Sequence, residues 1–212
     1  MLRLMNRSRL ETFIQYSRIL KYRALSNCHR VSGGPPIVVQ PLLLIGPGSI
    51  VLGEKVEFGW QRSNSFYTGY CHLEASAPHA TIEIGDGAQI NNNAFIKSEG
   101  PGIRIGPRAL IGSEVTIYDS DFHDLHPARR RNGRPNMAAV ELAEDVFIGD
   151  RVMILKGVRI GANSVVGAGS IVTSSIPEGM IAAGNPARII GSVPDTHLEQ
   201  LIAIAHTEDK AA

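Results

Sequence analysis

Residues 142–173 repeat every six positions, and few folds tolerate that period. Read in sixes the stretch is LAEDVF, IGDRVM, ILKGVR, IGANSV, VGAGSI, VT, with aliphatic residues at Leu142, Ile148, Ile154, Ile160, Val166 and Val172. Two places before each of the last five stands a small or β-branched residue: Val146, Val152, Val158, Ser164 and Ser170. A hexapeptide period reads as a parallel β-helix. Six residues make a short strand and a turn, and three such units make one triangular coil. The aliphatic residue points into the prism and the residue two before it fills the corner. Coils stack about 4.8 Å apart, and no coil buries its core alone. A pair of amphipathic helices is the competing reading. It would need apolar spacings of three and four, and Val, Ile, Gly and Ser are poor helix formers.

The period predicts an all-β solenoid over residues 34–190. Its signal is weak at the start, where Ile45 and Val51 are six apart and Phe58 falls off phase, and it is lost in residues 61–80. It returns at Ile84, Ile90 and Ile96, slips by three residues at EGPG (99–102), and resumes at Ile105, Ile111 and Ile117. Residues 118–139 (YDSDFHDLHPARRRNGRPNMAA) then carry no repeat. A loop of this length in a compact domain is usually functional or disordered, and one thrown out of a uniform prism can wall a cleft.

Residues 1–33 form a separate, basic segment in this reading. Arg3, Arg7, Arg9, Arg18, Lys21, Arg23 and Arg30 face a single Glu11, and Leu10, Phe13, Ile14 and Leu20 recur at helical spacing. Such a helix packs on the body or a neighbouring subunit, or lies on an anionic membrane surface. SGGPP (32–36) is the expected boundary. Residues 191–212 are expected to hold a short C-terminal helix, with apolar Leu198, Leu201, Ile202 and Ala205.

Composition excludes several classes. The formal net charge is +1, which argues against nucleic acid as a partner. Two cysteines, Cys28 and Cys71, offer neither a disulfide framework nor metal-type spacing, and a reducing cytoplasm fits. No apolar run reaches eighteen residues, and the basic N-terminus lacks the h-region of a secretory signal. The seven His include no credible zinc triad within the repeats, so no metal is expected.

Three features together carry a resemblance: the hexapeptide run, the GNPAR sequence at 184–188 and a His-bearing loop. The chain resembles the left-handed β-helix acetyltransferases, and among them the maltose/galactoside O-acetyltransferase branch, which includes surface-polysaccharide sugar O-acetyltransferases. The similarity covers roughly residues 84–190 and is clearest over 146–188. Connection rules alone would suggest a right-handed coil; the left hand is what the resemblance implies. It also implies acetyl-CoA as co-substrate, a sugar or glycan acceptor, direct attack of a hydroxyl on the thioester, and a homotrimer with sites between subunits.

The resemblance places the general base in the loop. His126-Pro127 is a literal His-Pro pair, but His123 stands 24 residues before Phe147. That separation is similar to the family's spacing between its base and the aromatic of V-[WF]-I-G, which favours His123. A group titrating near neutrality suits the chemistry. Asp121 is the expected orienting carboxylate, with Asp119 more suited to forming a turn. Asn91 corresponds to the acceptor-contacting Asn, since an amide both donates and accepts. Phe147, Gly149, Asp150, Ala168, Thr173 and Arg188 are the positions implied for acetyl-CoA. Asp150 stands where relatives often carry Ser, and Ser174 where they often carry Lys. Arg129, Arg130, Arg131 and Arg134 either are solvated or draw an acidic acceptor. In Trp60, Phe66, Tyr67 and Tyr70 an aromatic platform for a sugar competes with simple packing. A nucleotide-amino-sugar N-acetyltransferase and an antibiotic O-acetyltransferase remain alternatives on the same scaffold.

Overall fold

The computed structural model describes residues 7–194, with side chains from Leu10 onward. The expected C-terminal helix lies outside these residues. One helix, α1 (Arg7–Leu25), precedes a left-handed parallel β-helix of triangular section. Its strands form three sheets, here called the first, second and third faces, of six, eight and six strands. Successive strands visit the faces in turn, so each face gains one parallel strand per coil.

The register explains the repeat. On the first face Leu52, Ile84, Ile105, Leu142 and Ile160 pair in sequence. On the second, Phe58, Ile90, Ile111, Ile148, Val166 and Ala182 do the same. Leu73, Ile96, Ile117, Ile154 and Val172 form the third ladder. All of these side chains are buried. Each fully buried aliphatic contributes roughly 1.5–3 kcal/mol, and the ladders make one continuous core. The corner fillers are buried as expected: Ala88, Ala94, Ala109, Val115, Val146, Val152, Val158, Ser164 and Ser170. The turns between faces use left-handed backbone, with Asn93, Arg108, Glu114, Asp145, Arg151 and Asn163 at φ between 55° and 61°.

One expectation is corrected and two details are added at the start of the chain. The inward positions of the first coils are Leu52 and Phe58, while Val51 is exposed, so Phe58 is in phase and Ile45 was the misleading mark. The regular prism begins before SGGPP ends. Strand Arg30–Gly33 pairs parallel with Ser49–Leu52 and already belongs to the first face. Finally, α1 leaves its apolar stripe uncovered within the single chain. It meets the body through Gln15, Arg18, Ile19 and Tyr22, leaving Leu10, Phe13, Ile14 and Leu20 exposed. Polar contacts hold it there: Gln15 Nε2 donates to the Val39 carbonyl at 2.8 Å, and Arg18 donates to the carbonyls of Phe66 and Gly69.

The far end closes with an antiparallel pair. Strand Met180–Gly184 sits on the second face, then turns back against Ala187–Ser192. Two excursions leave the prism. Residues 59–70 bulge from the corner between the second and third faces, between strands Glu57–Phe58 and Cys71–Ala75. Residues 119–139 leave the corner between the third and first faces, between Thr116–Tyr118 and Val140–Leu142.

Candidate functional site

The larger excursion is built on a buried carboxylate. Asp119, fully buried, accepts from Ser98 Oγ at 2.7 Å and from the backbone N–H groups of Glu99, Gly100 and Gly102 at 2.9–3.1 Å. This ties the EGPG slip to the root of the loop, the turn-forming role expected of Asp119. Beyond it, Phe122 adopts φ 59° and donates its N–H to Ser120 Oγ at 2.9 Å. Its ring stands edge-on to Tyr118 at 5.1 Å, with Lys97 Nζ 5.1 Å from its centre. An aromatic row runs back along the third face from there, through Tyr118, Phe95, His72 and Tyr70 to Tyr22 of α1. Burial holds the His72 imidazole below its ordinary pKa, against the pull of Glu74, and raises the Tyr118 phenol.

His123 follows Phe122 and is exposed. Its Nδ1 lies 3.2 Å from the Arg130 carbonyl. A carbonyl only accepts, so this contact requires the proton on Nδ1, and in the neutral imidazole it leaves Nε2 with the lone pair. The expected Asp121 carboxylate does not play this part. Asp121 is taken by Lys156 Nζ at 2.7 Å and Asn136 Nδ2 at 3.3 Å, so it anchors the loop to the coil below. Asp124 folds the loop tip. It accepts from Arg129 Nε at 2.8 Å and the His126 N–H at 2.8 Å, and the Arg129 guanidinium holds its carboxyl below the ordinary value. His126 itself caps the short turn Pro127–Arg129 through Nδ1, which accepts from the Ala128 N–H at 3.3 Å. Two of the four loop arginines are therefore used within the loop, Arg129 on Asp124 and Arg130 on the Leu125 carbonyl.

A second group of expected residues meets elsewhere. A pocket of about 180 Å3 on the outside of the second face is lined by Asn91, Phe147 and Asp150, with Glu57, Trp60 and Leu110. Asn91 Nδ2 donates to Ser63 Oγ at 2.8 Å, and Asp150 accepts from the Ser113 N–H and hydroxyl at 2.7 and 2.9 Å. Phe147 points outward from its strand, half exposed, and is not part of the core. Gly149 lies against the next coil so closely that a Cβ there would stand 2.6 Å from the Ala168 nitrogen. Thr173 and Arg188 are exposed and do not line the pocket; Arg188 Nη1 donates to the Ala187 carbonyl. Among the described residues no His/Cys/Asp/Glu group is arranged to hold a metal ion, and no helix is long and apolar enough to cross a membrane.

His123 does not line this pocket. The reason is topological. Its loop leaves one corner of the prism, while the pocket lies on the face opposite that corner. The chain thus carries His123 on one side and the pocket on another.

Comparison with known proteins bears on what these parts are. The family described as bacterial transferase hexapeptide (six repeats) matches residues 139–174. A protein of Escherichia coli (strain K12), provisionally named as the lipopolysaccharide biosynthesis O-acetyl transferase WbbJ, is 34% identical over 163 residues, covering 73% of this chain and 77% of that protein. The chain belongs to the hexapeptide-repeat transferase family. Galactoside O-acetyltransferase of Escherichia coli (strain K12) is 39% identical over 116 residues, 55% of this chain and 56% of that protein. The match thus spans about half the length of that relative. Among solved structures, the hexapeptide-repeat-containing acetyltransferase VCA0836 of Vibrio cholerae, complexed with acetyl coenzyme A, superposes with a TM-score of 0.55 at 28% identity, covering 89% of this chain and 85% of that one. The N-acyltransferase AntD of Bacillus cereus superposes at 0.62 with 21% identity, covering 96% and 97%, a likeness of fold alone.

Sequence reasoning missed several members of this hexapeptide-repeat site. The Arg130 carbonyl leaves no mark in a side-chain pattern. Glu57 precedes an inward Phe58 as Phe147 precedes Ile148, so it was visible in principle, but the slips at 59–70 and 99–102 hid that the two share a face.

Proposed function

We propose that the protein is an acetyl-CoA-dependent O-acetyltransferase acting on a hydroxyl of a sugar or glycan. The observation that carries this reading is His123, exposed on a clamped loop with Nδ1 on the Arg130 carbonyl and Nε2 free. Nε2 takes the proton of the acceptor hydroxyl as its oxygen attacks the thioester carbonyl. The C–S bond breaks, CoA leaves as thiolate, and the imidazolium returns the proton to sulfur. Phe147, Gly149, Asp150, Ala168, Thr173 and Arg188 form the donor side: Phe147 lies beside the thioester arm, Gly149 and Ala168 offer backbone groups to extended pantetheine, and Arg188 meets a phosphate. Asn91 contacts the acceptor. The similarity to galactoside O-acetyltransferase and to the acetyl-CoA-bound VCA0836 supports both halves.

The working unit in this proposal is a homotrimer. His123 and the Asn91–Phe147 pocket lie on opposite sides of one prism, so His123 of one subunit serves the pocket of its neighbour. Side-by-side packing about a threefold axis brings a corner of each prism to a face of the next. The exposed apolar stripe of α1 is then available to the assembly or to a lipid surface. Release of CoA thiol in the presence of simple sugars tests the activity. For the shared site, His123→Ala and Asn91→Ala subunits are unfolded together and reassembled. The mixture should exceed the mean activity of its two parents; no gain on mixing, or a monomer in sedimentation, would remove the shared site.

A further inference from the structure

Residues 59–70 are an interruption that the prism does not need, and their polar anchoring is unusually complete. Asn92, fully buried, grips Trp60 at both ends of its backbone: Oδ1 accepts from the Trp60 N–H at 2.9 Å, and Nδ2 donates to the Trp60 carbonyl at 3.0 Å and the Asn64 carbonyl at 2.8 Å. Gln40, also fully buried, donates to the Ser65 carbonyl at 3.1 Å, and Arg18 of α1 donates to the Phe66 carbonyl at 2.8 Å. Yet the indole that this frame carries is 53% exposed. The prism of its own chain does not use the indole for packing. It is an exposed aromatic plane on a fixed backbone at the rim of the pocket.

The pocket is also graded. Glu57, Gln89, Leu110 and Phe147 pair in that order along the outer side of the second face. Neighbouring strands are about 4.8 Å apart, so the row runs from a carboxylate and an amide to two apolar side chains. The apolar end suits a thioester arm. Glu57 at the other end is half-buried and has no hydrogen-bond or ion-pair partner for its carboxylate among the described residues. A carboxylate only accepts hydrogen bonds. It matches a pair of hydroxyls and repels an anionic ring.

We propose that Trp60 and Glu57 are the specificity-determining residues for the acceptor, and that they select a neutral hexose ring. The apolar face of the sugar lies on the Trp60 indole, and two of its hydroxyls donate to Glu57. This rests on the reading above that the pocket takes an acceptor hydroxyl, and it narrows that acceptor to uncharged sugars over uronic or sialic acids.

Trp60 is the chain's only tryptophan, so its fluorescence reports on its own surroundings without any turnover. The full-length protein is titrated with methyl glycosides of galactose, glucose and mannose, and with galacturonic acid. At least one neutral glycoside should change the emission saturably, with galacturonic acid at least tenfold weaker. In acetyl transfer Trp60→Ala should raise the acceptor KM about tenfold and leave the KM for acetyl-CoA unchanged, with Trp60→Phe intermediate. Glu57→Gln should narrow the gap between neutral and acidic sugars about tenfold. Saturable fluorescence change without acetyl transfer would sustain the binding proposal while defeating the transferase reading. Transfer with an unaltered acceptor KM in Trp60→Ala, or a preference for galacturonic acid, would overturn the assignment and leave the transferase reading intact.

Discussion

Residues 142–172 and residues 121–139 adjoin in the chain and are held by opposite means. In the coils every sixth side chain is buried in a ladder, and the backbone bonds to the coils above and below. In the loop no residue from 121 to 139 is buried. Its shape comes from a few backbone bonds, such as the Asp121 N–H on the Asn136 carbonyl, and from side-chain clamps: Asp119 at its root, Lys156 on Asp121, Arg129 on Asp124. Apolar burial is non-directional and builds a uniform rod. Hydrogen bonds are directional, and they aim one imidazole. The smaller excursion at 59–70 follows the same rule, with Asn92 and Gln40 in place of an apolar core.

If chemistry resides in the clamped excursions and stability in the ladders, variants should separate the two. The largest effect is expected at His123: His123→Ala should lower kcat for acetyl transfer by about 10²–10⁴-fold, with unchanged thermal unfolding, while His126→Ala should stay within a few-fold. An active His123→Ala enzyme would end the proposed mechanism. Asp119→Ala crosses the division, because it strips a partner from Ser98 Oγ and three backbone N–H groups, two of them buried. Donors bonded to a charged group and then left unpaired cost on the order of 3 kcal/mol, to be read from urea unfolding along with a loss of activity.

Asn92→Ala should be milder, about 2 kcal/mol, because three bonds to Trp60 and Asn64 are lost at a site nearer to water. Its sharper signature is a red shift of the Trp60 emission with the acetyl-CoA KM preserved; an unmoved spectrum would mean that the insert holds without Asn92. The smallest effect belongs to Asp124. Its carboxyl is held below its ordinary pKa, first by Arg129 and then by the His126 N–H. A depressed folded pKa means that the clamp is complete above the unfolded value, about 4, and is lost as pH falls through the folded one. Hydrogen-exchange protection in the loop, taken relative to the intrinsic amide rate at each pH, should therefore be flat from neutral pH down to about pH 5 and then fall. Asp124→Asn should show the reduced protection already at neutral pH, with kcat reduced a few-fold.

Much of the fold was legible from one periodicity. The inward residues at 84–172 and their corner fillers were read in the correct places, because burial in a prism leaves a strict six-residue mark. The reading failed where the mark was degenerate. Ile45 and Val51 imitate the phase that Leu52 and Phe58 hold, since apolar neighbours in a short strand look alike. The α1 stripe promised an apolar contact, and the helix docks instead through Gln15 and Arg18 on backbone carbonyls, acceptors that no residue pattern announces.

The sequence by itself determined the coil, its core, the family and the loop that carries His123, because these rest on local spacing and on motifs contiguous in the chain. Only the tertiary structure decided the partners. It gave Asp121 to Lys156, and placed the Arg130 carbonyl at His123. It put Glu57 and Trp60 into one pocket with Asn91 and Phe147, on the side of the prism away from the loop. The physical reason is that a solenoid stacks residues one coil apart. How many residues make a coil depends on slips and excursions, and their closure is settled by hydrogen bonds to backbone atoms common to every residue type.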